Sequence, residues 1–69
     1  MNEPKYGELY KYPDSEHLYL IATINIGDCM YNTLVNVSTG YVNGPSSGAI
    51  GELVEGMTKV ADSVKELVK

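Results

Sequence analysis

Arginine, tryptophan and phenylalanine are absent from this 69-residue sequence, and cysteine and histidine occur once each. Cys29 alone cannot form an internal disulfide, and Cys29 with His17 is too small a ligand set for a structural zinc site. A chain this short buries roughly 60% of the surface that its unfolded form exposes, so it usually needs a disulfide, a metal or a second chain for stability. Because the sequence supplies neither of the first two, we expect a homo-oligomer without a metal site.

Positive charge is also scarce. Five lysines, at positions 5, 11, 59, 65 and 69, stand against nine acidic residues, and the formal charge is −4. Proteins that bind DNA or RNA need a concentrated basic surface to neutralise phosphates, and they favour arginine for reading bases. The charge therefore argues against direct nucleic-acid binding. An acidic chain can instead mimic nucleic acid toward a basic protein, but carboxylates spread over both halves favour a simple role in solubility.

Long apolar runs are missing as well. No stretch reaches the roughly 18 apolar residues of a membrane-spanning helix, and the N-terminus lacks the apolar segment of a signal peptide. The single unpaired thiol suits a reducing compartment. We therefore expect a cytoplasmic protein that does not bind membranes.

Residues suited to catalysis are isolated from one another. His17 begins a predicted strand, and Cys29 flanks a turn without a cationic neighbour to activate its thiol. The carboxylates of Asp14, Glu16 and Asp28 fall in separate turns without the spacing of a calcium-binding loop. We predict no catalytic residue and no cofactor, so the chain is not expected to be an enzyme.

Hydrophobic periodicity divides the single predicted domain into two parts. Residues 1–6 are predicted to be a loose leader, and residues 7–43 alternate with period two, as in a β-meander of three or four antiparallel strands. In the most regular strand one face is wholly apolar and the other is mixed. The apolar face is formed by Leu18, Leu20, Ala22, Ile24 and Ile26, and the mixed face by Tyr19, Ile21, Thr23 and Asn25.

Residues 44–48 are predicted to be a Gly/Ser loop and residues 49–68 an amphipathic helix, which Ser46 or Ser47 could cap. The predicted fold class is therefore α+β, a three- to four-stranded antiparallel β-meander followed by one long C-terminal amphipathic helix. Six residues of the helix follow heptad spacing, widened on one side by Val54, Ala61 and Val68. This stripe could cover its own sheet or meet a partner helix. The candidate oligomer interface is Ile50, Leu53, Met57, Val60, Val64 and Leu67.

Tyrosines and the Gly/Ser loop are the candidate ligand-binding residues. All six aromatic residues are tyrosines in the predicted strand half, and Tyr10 and Tyr12 could stack on a base. Ser46, Ser47 and Gly48 would bring hydroxyls and amides to a helix N-terminus, where anions are favoured, although the lysine of a P-loop is missing. The alternatives are a solvated tyrosine-rich sheet face and a loop that only links and caps.

Three segments resemble small accessory proteins of bacteriophages of Gram-positive hosts: GELYKY at 7–12, HLYLIA at 17–22 and YNTLVNVSTG at 31–40. The resemblance covers about half of the chain, while Val37, Ser38 and Tyr41 depart from the commoner pattern and the loop and predicted helix lie outside it. It implies a phage protein in the host cytoplasm that counters bacterial immunity, either by sequestering a nucleotide signal or by binding a defence protein. It assigns no site residue.

Together these observations predict a non-enzymatic, oligomeric binding protein that sequesters a small anionic, nucleotide-like signal in pockets between subunits. Tyr10 and Tyr12 would stack on the ligand, and Ser46, Ser47 and Gly48 would hold its phosphate. One alternative is a protein–protein inhibitor that binds a host defence protein through its sheet edge or helix. The other is a structural assembly module.

Overall fold

The computed structural model describes residues 3–67, and these form one five-stranded antiparallel sheet with a single short helix. The spatial order of the strands is β4-β3-β2-β1-β5, so the first four strands each lie beside the next in sequence, and β5 returns to the free side of β1. A short 3₁₀ turn, Val64–Glu66, follows β5. The elements are β1 (Leu9–Lys11), β2 (Tyr19–Ile26), β3 (Cys29–Asn36), β4 (Tyr41–Val42), α1 (Ile50–Leu53) and β5 (Thr58–Ala61).

The predicted fold class is wrong, because residues 49–67 do not form one long helix. Helix α1 ends at Leu53, Gly56 adopts a φ of +82° in the turn that follows, and the chain then becomes strand β5. Two glycines and several β-branched residues lower the helix propensity of this region, and pairing with β1 satisfies the backbone of residues 58–61. Val68, the last residue of the predicted helix, lies outside the described residues.

Strands β2 and β3 form a hairpin paired along its whole length, from Tyr19 opposite Asn36 to Ile26 opposite Cys29. Gly27 and Asp28 connect the strands, and Gly27 has a φ of +62°. A two-residue hairpin turn of type II′ needs a positive φ at this first position, which glycine adopts without a steric penalty. The turn therefore fixes the register of the two longest strands.

Helix α1 and the turn after it cover one face of the sheet, which we call the core face. Tyr10, Ile21, Leu34 and Val54 form the buried cluster there, and Ile50, Leu53, Met57 and Tyr19 pack against it. Since side chains alternate along a strand, the core face receives the mixed face of β2. The wholly apolar side of β2 therefore points away from α1.

The segments on either side of the strands are held by specific hydrogen bonds. In the predicted leader, the Tyr6 hydroxyl donates to Asn32 Oδ1 at 2.6 Å. Directly after the leader, the Gly7 N–H donates to the Ile21 carbonyl at 2.8 Å. In the Gly/Ser loop, the Ser46 N–H donates to the Asn32 carbonyl at 2.9 Å, and the Thr33 hydroxyl donates to the Gly44 carbonyl at 2.8 Å. The loop thus runs along the outer edge of β3.

Substitution of two glycines distinguishes this fold from a continuous helix. Gly56→Ala should lower the free energy of unfolding by about 1–2 kcal/mol, because a Cβ is strained at positive φ. Gly51→Ala should raise it by up to about 1 kcal/mol, because Gly51 lies in α1 with open space around its Cβ position. Chemical denaturation measures both effects. In a continuous helix both substitutions would stabilise, so a stabilising Gly56→Ala would contradict the fold.

Candidate functional site

An open cleft of about 880 Å³ lies beside strands β1 and β5. Three carboxylates against two lysines leave the cleft with one net negative charge. Typical sites for small drug-like ligands are enclosed and largely apolar, whereas this cleft is open and charged. Its lining residues are Glu3, Pro4, Lys5, Tyr6, Glu8, Lys59 and Asp62.

Glu8 is the buried carboxylate at the base of the cleft, with 6% of its surface exposed. Its Oε2 accepts a hydrogen bond from Lys59 Nζ at 2.9 Å. Its Oε1 accepts one from the Lys5 backbone N–H at 2.9 Å and one from the Tyr10 hydroxyl at 3.0 Å. A buried charge is tolerated when it is paired and hydrogen-bonded, and Glu8 meets both conditions.

Lys59 lies between two carboxylates, because its Nζ forms ion pairs with Glu8 and with Asp62. The hydrogen bonds with Asp62 and Glu8 raise the pKa of Lys59 above its usual range. A lysine acts as a base or nucleophile only when its pKa is lowered toward neutral. Lys59 therefore carries a permanent positive charge, and this charge is already paired with the carboxylates of Glu8 and Asp62.

The other two groups of the network are also held in one protonation state near neutral pH. Burial raises the pKa of Glu8, but the hydrogen bonds from Lys59, the Lys5 N–H and Tyr10 outweigh it, so the net pKa lies below the ordinary value. Burial, followed by the hydrogen bond to Glu8, raises the pKa of Tyr10. The network thus provides fixed charges and no group poised for proton transfer.

The two tyrosines predicted to bind a ligand have different environments. Tyr10 belongs to the buried cluster of the core face, and its hydroxyl is bonded to Glu8. Tyr12 is 41% exposed, and its ring meets that of Tyr19 edge to face, with 6.0 Å between the ring centroids. Tyr12 is exposed enough for a ligand to stack on its ring, whereas the ring of Tyr10 is buried in the core.

The predicted phosphate-binding loop uses its polar groups internally. Ser46 Oγ accepts the Gly48 N–H at 3.1 Å, and the Gly48 carbonyl accepts a hydrogen bond from Asn32 Nδ2 at 3.0 Å. The carboxylate of Glu52 lies beside Gly48, 3.2 Å from the position that a Cβ would occupy. A negative charge at this distance repels a phosphate.

The predicted serine cap of a long helix is wrong, because the helix that follows is short and begins differently. Its N-cap is Ala49, which provides no side-chain hydrogen bond, and α1 contains only four residues. The aligned peptide dipoles that favour an anion are correspondingly few. Ser47 is exposed in the loop before it.

The six residues of the predicted oligomer interface do not lie on one stripe. Ile50, Leu53 and Met57 pack against the core face of the sheet. Val60 lies in β5, and Val64 and Leu67 lie in and after the 3₁₀ turn, where all three are exposed. Their role in association stays a prediction. The long helix that would have placed all six residues on one side is not present in residues 49–67.

His17 and Cys29 lie at opposite ends of the β2–β3 hairpin. The ring Nδ1 of His17 is 2.9 Å from Asn36 Nδ2, near the start of β2, while Cys29 is exposed beside the turn that ends β2. Eight strand residues separate these ends by about 25 Å. The two side chains therefore do not form a pair.

Sequence reasoning missed the group formed by Glu8, Lys59 and Asp62. Lys59 and Asp62 fall within the predicted helix of residues 49–68, and Glu8 falls within the predicted β-meander of residues 7–43. The only local signal is a carboxylate between Gly7 and Leu9, in a segment otherwise suited to a sheet. Its partner on β5 is far away in the sequence.

No protein-family model, curated protein or solved structure matches the chain. Within residues 3–67, no group of three or more histidine, cysteine, aspartate and glutamate side chains is arranged to hold a metal ion. The same residues include no helix with the length and hydrophobicity needed to cross a bilayer. The cleft and the sheet surfaces are therefore the candidate functional sites.

The Glu8 network predicts a pH-dependent loss of stability. At neutral pH, Glu8→Gln should lower the free energy of unfolding by about 1–3 kcal/mol, because three hydrogen bonds to a buried carboxylate are weakened. The folded-state pKa is lowered, so this stabilisation is full above the ordinary value of 4.5 and is lost as pH falls through the folded-state pKa. The difference between the two proteins should therefore shrink in acid.

Denaturation curves from neutral pH into the acid range measure this effect. Glu55→Gln, at an exposed position, is the control and should change stability little at any pH. A Glu8→Gln effect that stays constant down to low pH would contradict the assigned role of Glu8.

Removing the hydroxyl group of either tyrosine tests whether Tyr10 contributes more to stability than Tyr12 does. Tyr10→Phe should destabilise by about 0.5–1.5 kcal/mol, since it removes a buried hydrogen bond to Glu8. Tyr12→Phe removes the hydroxyl of an exposed side chain and should change stability by less than about 0.5 kcal/mol. Thermal or chemical denaturation compares the two, and equal effects would show that the hydroxyl of Tyr10 is not a structural group.

Proposed function

We propose that this chain is a non-enzymatic binding protein whose charged cleft holds a basic segment of a partner protein. The observation that carries the proposal is that Lys59 already forms ion pairs with Glu8 and Asp62. The network of two carboxylates and one lysine has one net negative charge, and Lys5 offsets Glu3, so the cleft keeps one net negative charge. The cleft therefore attracts positive charge, and the overall charge of −4 adds to this attraction.

The same charge argues against phosphate as the ligand of the cleft. A nucleotide would bring negative charge to a surface that is already negative, and the cleft is too open to exclude water around it. Sequestration of a nucleotide-like signal by Tyr10, Tyr12, Ser46, Ser47 and Gly48 stays a prediction, but Tyr10 is in the core and Glu52 lies beside Gly48. Protein binding is the better-supported alternative.

The sheet edges and the helix are less suited to the partner than the cleft is. Strand β4 has only two residues. In β5, Lys59 pairs with Tyr10 and Ala61 with Leu9, which leaves Val60 as a bulge. Short and bulged edge strands resist pairing with another strand, and α1 has its apolar side against the core face.

The resemblance to phage accessory proteins suggests which partner to test. It makes a host defence protein the proposed target and the host cytoplasm the proposed place of action. An exposed segment rich in lysine or arginine is the feature that the cleft would recognise on such a target.

Titration with peptides of opposite charge tests the proposal. A lysine-rich peptide should shift the backbone NMR signals of Lys5, Tyr6, Lys59 and Asp62, with an affinity that falls as salt screens the charges. A glutamate-rich peptide of equal length should produce no shift there. Asp62→Asn should weaken binding of the lysine-rich peptide by up to about fivefold, since the loss of one exposed carboxylate has a small effect.

Glu55→Gln is the matched control, because it removes one exposed carboxylate that does not line the cleft. A lysine-rich peptide without effect on the cleft signals would refute the proposal. A cyclic nucleotide that shifts the signals of Ser46 to Gly48, and raises the melting temperature with the logarithm of its concentration, would establish nucleotide sequestration instead.

A further inference from the structure

On the side of the sheet opposite α1, which we call the apolar face, strands β2 and β3 carry no charged side chain, and the one charged residue of β1 on this side is Lys11. The hairpin register places Leu20 beside Val35, Ala22 beside Thr33, Ile24 beside Tyr31 and Ile26 beside Cys29 on this face. The hydroxyl of Thr33, its most buried polar group, is already bonded to the Gly44 carbonyl. The β2–β3 part of the face therefore offers hydrophobic contact and no charge.

This face is more apolar than the core face, but none of its aliphatic side chains on β2 and β3 is fully buried. On the core face, Ile21 is 1% exposed and Leu34 is buried beside it. On the apolar face, Ile26 is 49% exposed, Val42 of β4 is 42% exposed, and Leu20, Ala22, Ile24, Tyr31 and Val35 are only partly buried. On β1 and β5, at the other edge of the sheet, Leu9 and Ala61 of this face are buried and offer no exposed surface. Contiguous apolar surface of this kind marks an interaction site.

We propose that the apolar face joins two copies of this chain in a symmetric, face-to-face dimer. Two sheets that pack in this way lie about 10 Å apart with their strands at a small angle, as in a β-sandwich. A two-fold dimer uses the same patch on both subunits, so the patch has to be compatible with itself. An uncharged and mostly apolar patch satisfies this condition.

Charge is the first argument for a second copy as the occupant. Each chain carries a formal charge of −4, so two copies repel wherever acidic surfaces meet. The β2–β3 part of the apolar face is free of charged side chains, and contact there keeps the carboxylates of both copies at the periphery. A strongly charged partner would find no complementary group on the β2–β3 part of this face.

Area is the second argument. The eight residues of β2, the eight of β3 and the two of β4 give a flat area on the order of 300 Å² per copy. Side-chain relief enlarges the accessible area, but two copies together stay below the roughly 1,200 Å² of standard interfaces, in the range of weak, transient complexes. The expected dimer therefore dissociates at low concentration.

The proposed dimer goes beyond the peptide-binding function and leaves the cleft accessible. Lys59 pairs with Tyr10, whose side chain lies on the core face. The cleft is therefore on the side of the sheet away from the dimer contact, and either proposal can fail without the other.

Two neighbouring residues of β2 provide a matched test. Ile24 lies on the apolar face and Thr23 on the core face, where it is exposed. In sedimentation velocity over a range of concentrations, the wild type should show a monomer–dimer equilibrium. Ile24→Lys should raise the dimer dissociation constant by at least about tenfold, because it places a charge at the centre of the interface. Thr23→Lys should leave the constant unchanged.

Isotope-filtered NMR on a mixture of labelled and unlabelled wild type provides a second measurement, which decides the question even if Ile24→Lys does not fold. Contacts between the methyl groups of Leu20 or Ile24 and the other copy are expected. The proposal is overturned by a monomer at every concentration, by equal effects of the two lysine substitutions, or by contacts through Val64 and Leu67 instead.

Discussion

The register of the β2–β3 hairpin is the constraint on which the rest of the structure depends. Side chains alternate between the two faces of a sheet, so the pairing of Ile21 with Leu34 assigns every residue of both strands to one face. A slip by one residue would exchange the two faces. The buried cluster that receives Val54, and with it the position of α1, exists only in the observed register.

The return of β5 to β1 is the second constraint, because it brings Lys59 to Glu8. A carboxylate as buried as Glu8 needs partners, and two of its three partners come from its own neighbourhood while the third comes from β5. The same ion pair aligns the last strand with the first and forms the base of the cleft. Fold and cleft therefore have a common origin in one long-range interaction.

Part of this arrangement could be read from the sequence. Strands β2 and β3 fall within the segments predicted from period-two alternation, and Gly27 lies where the hairpin needs a positive φ. The sequence could not show which face α1 covers. The apolar side of β2 was the obvious candidate for the core, yet Ile21 and Leu34 on the mixed face are buried. This choice depends on where the chain goes after β4, which no local pattern specifies.

The C-terminal part was predicted wrongly for a physical reason. Apolar residues three and four positions apart occur in helices, but a short helix, a turn and a strand can reproduce the same spacing. Ile50 and Leu53 contact the sheet from α1, while Val60 bulges from a strand. Gly56 at positive φ marks the interruption. The Glu8–Lys59 pair could not be predicted from the sequence, because it forms only when residues 58–61 are a strand beside β1 and not part of a helix.

The short strand β4 and the bulge at Val60 also limit how copies of the chain can assemble. Neither lateral border of the sheet presents a straight, unpaired strand, so edge-on polymerisation into fibrils is hindered on both sides. The proposed face-to-face contact would occupy the apolar face of both molecules. Self-association of this kind would stop at closed pairs, even in a crowded solution, rather than continue into open-ended filaments.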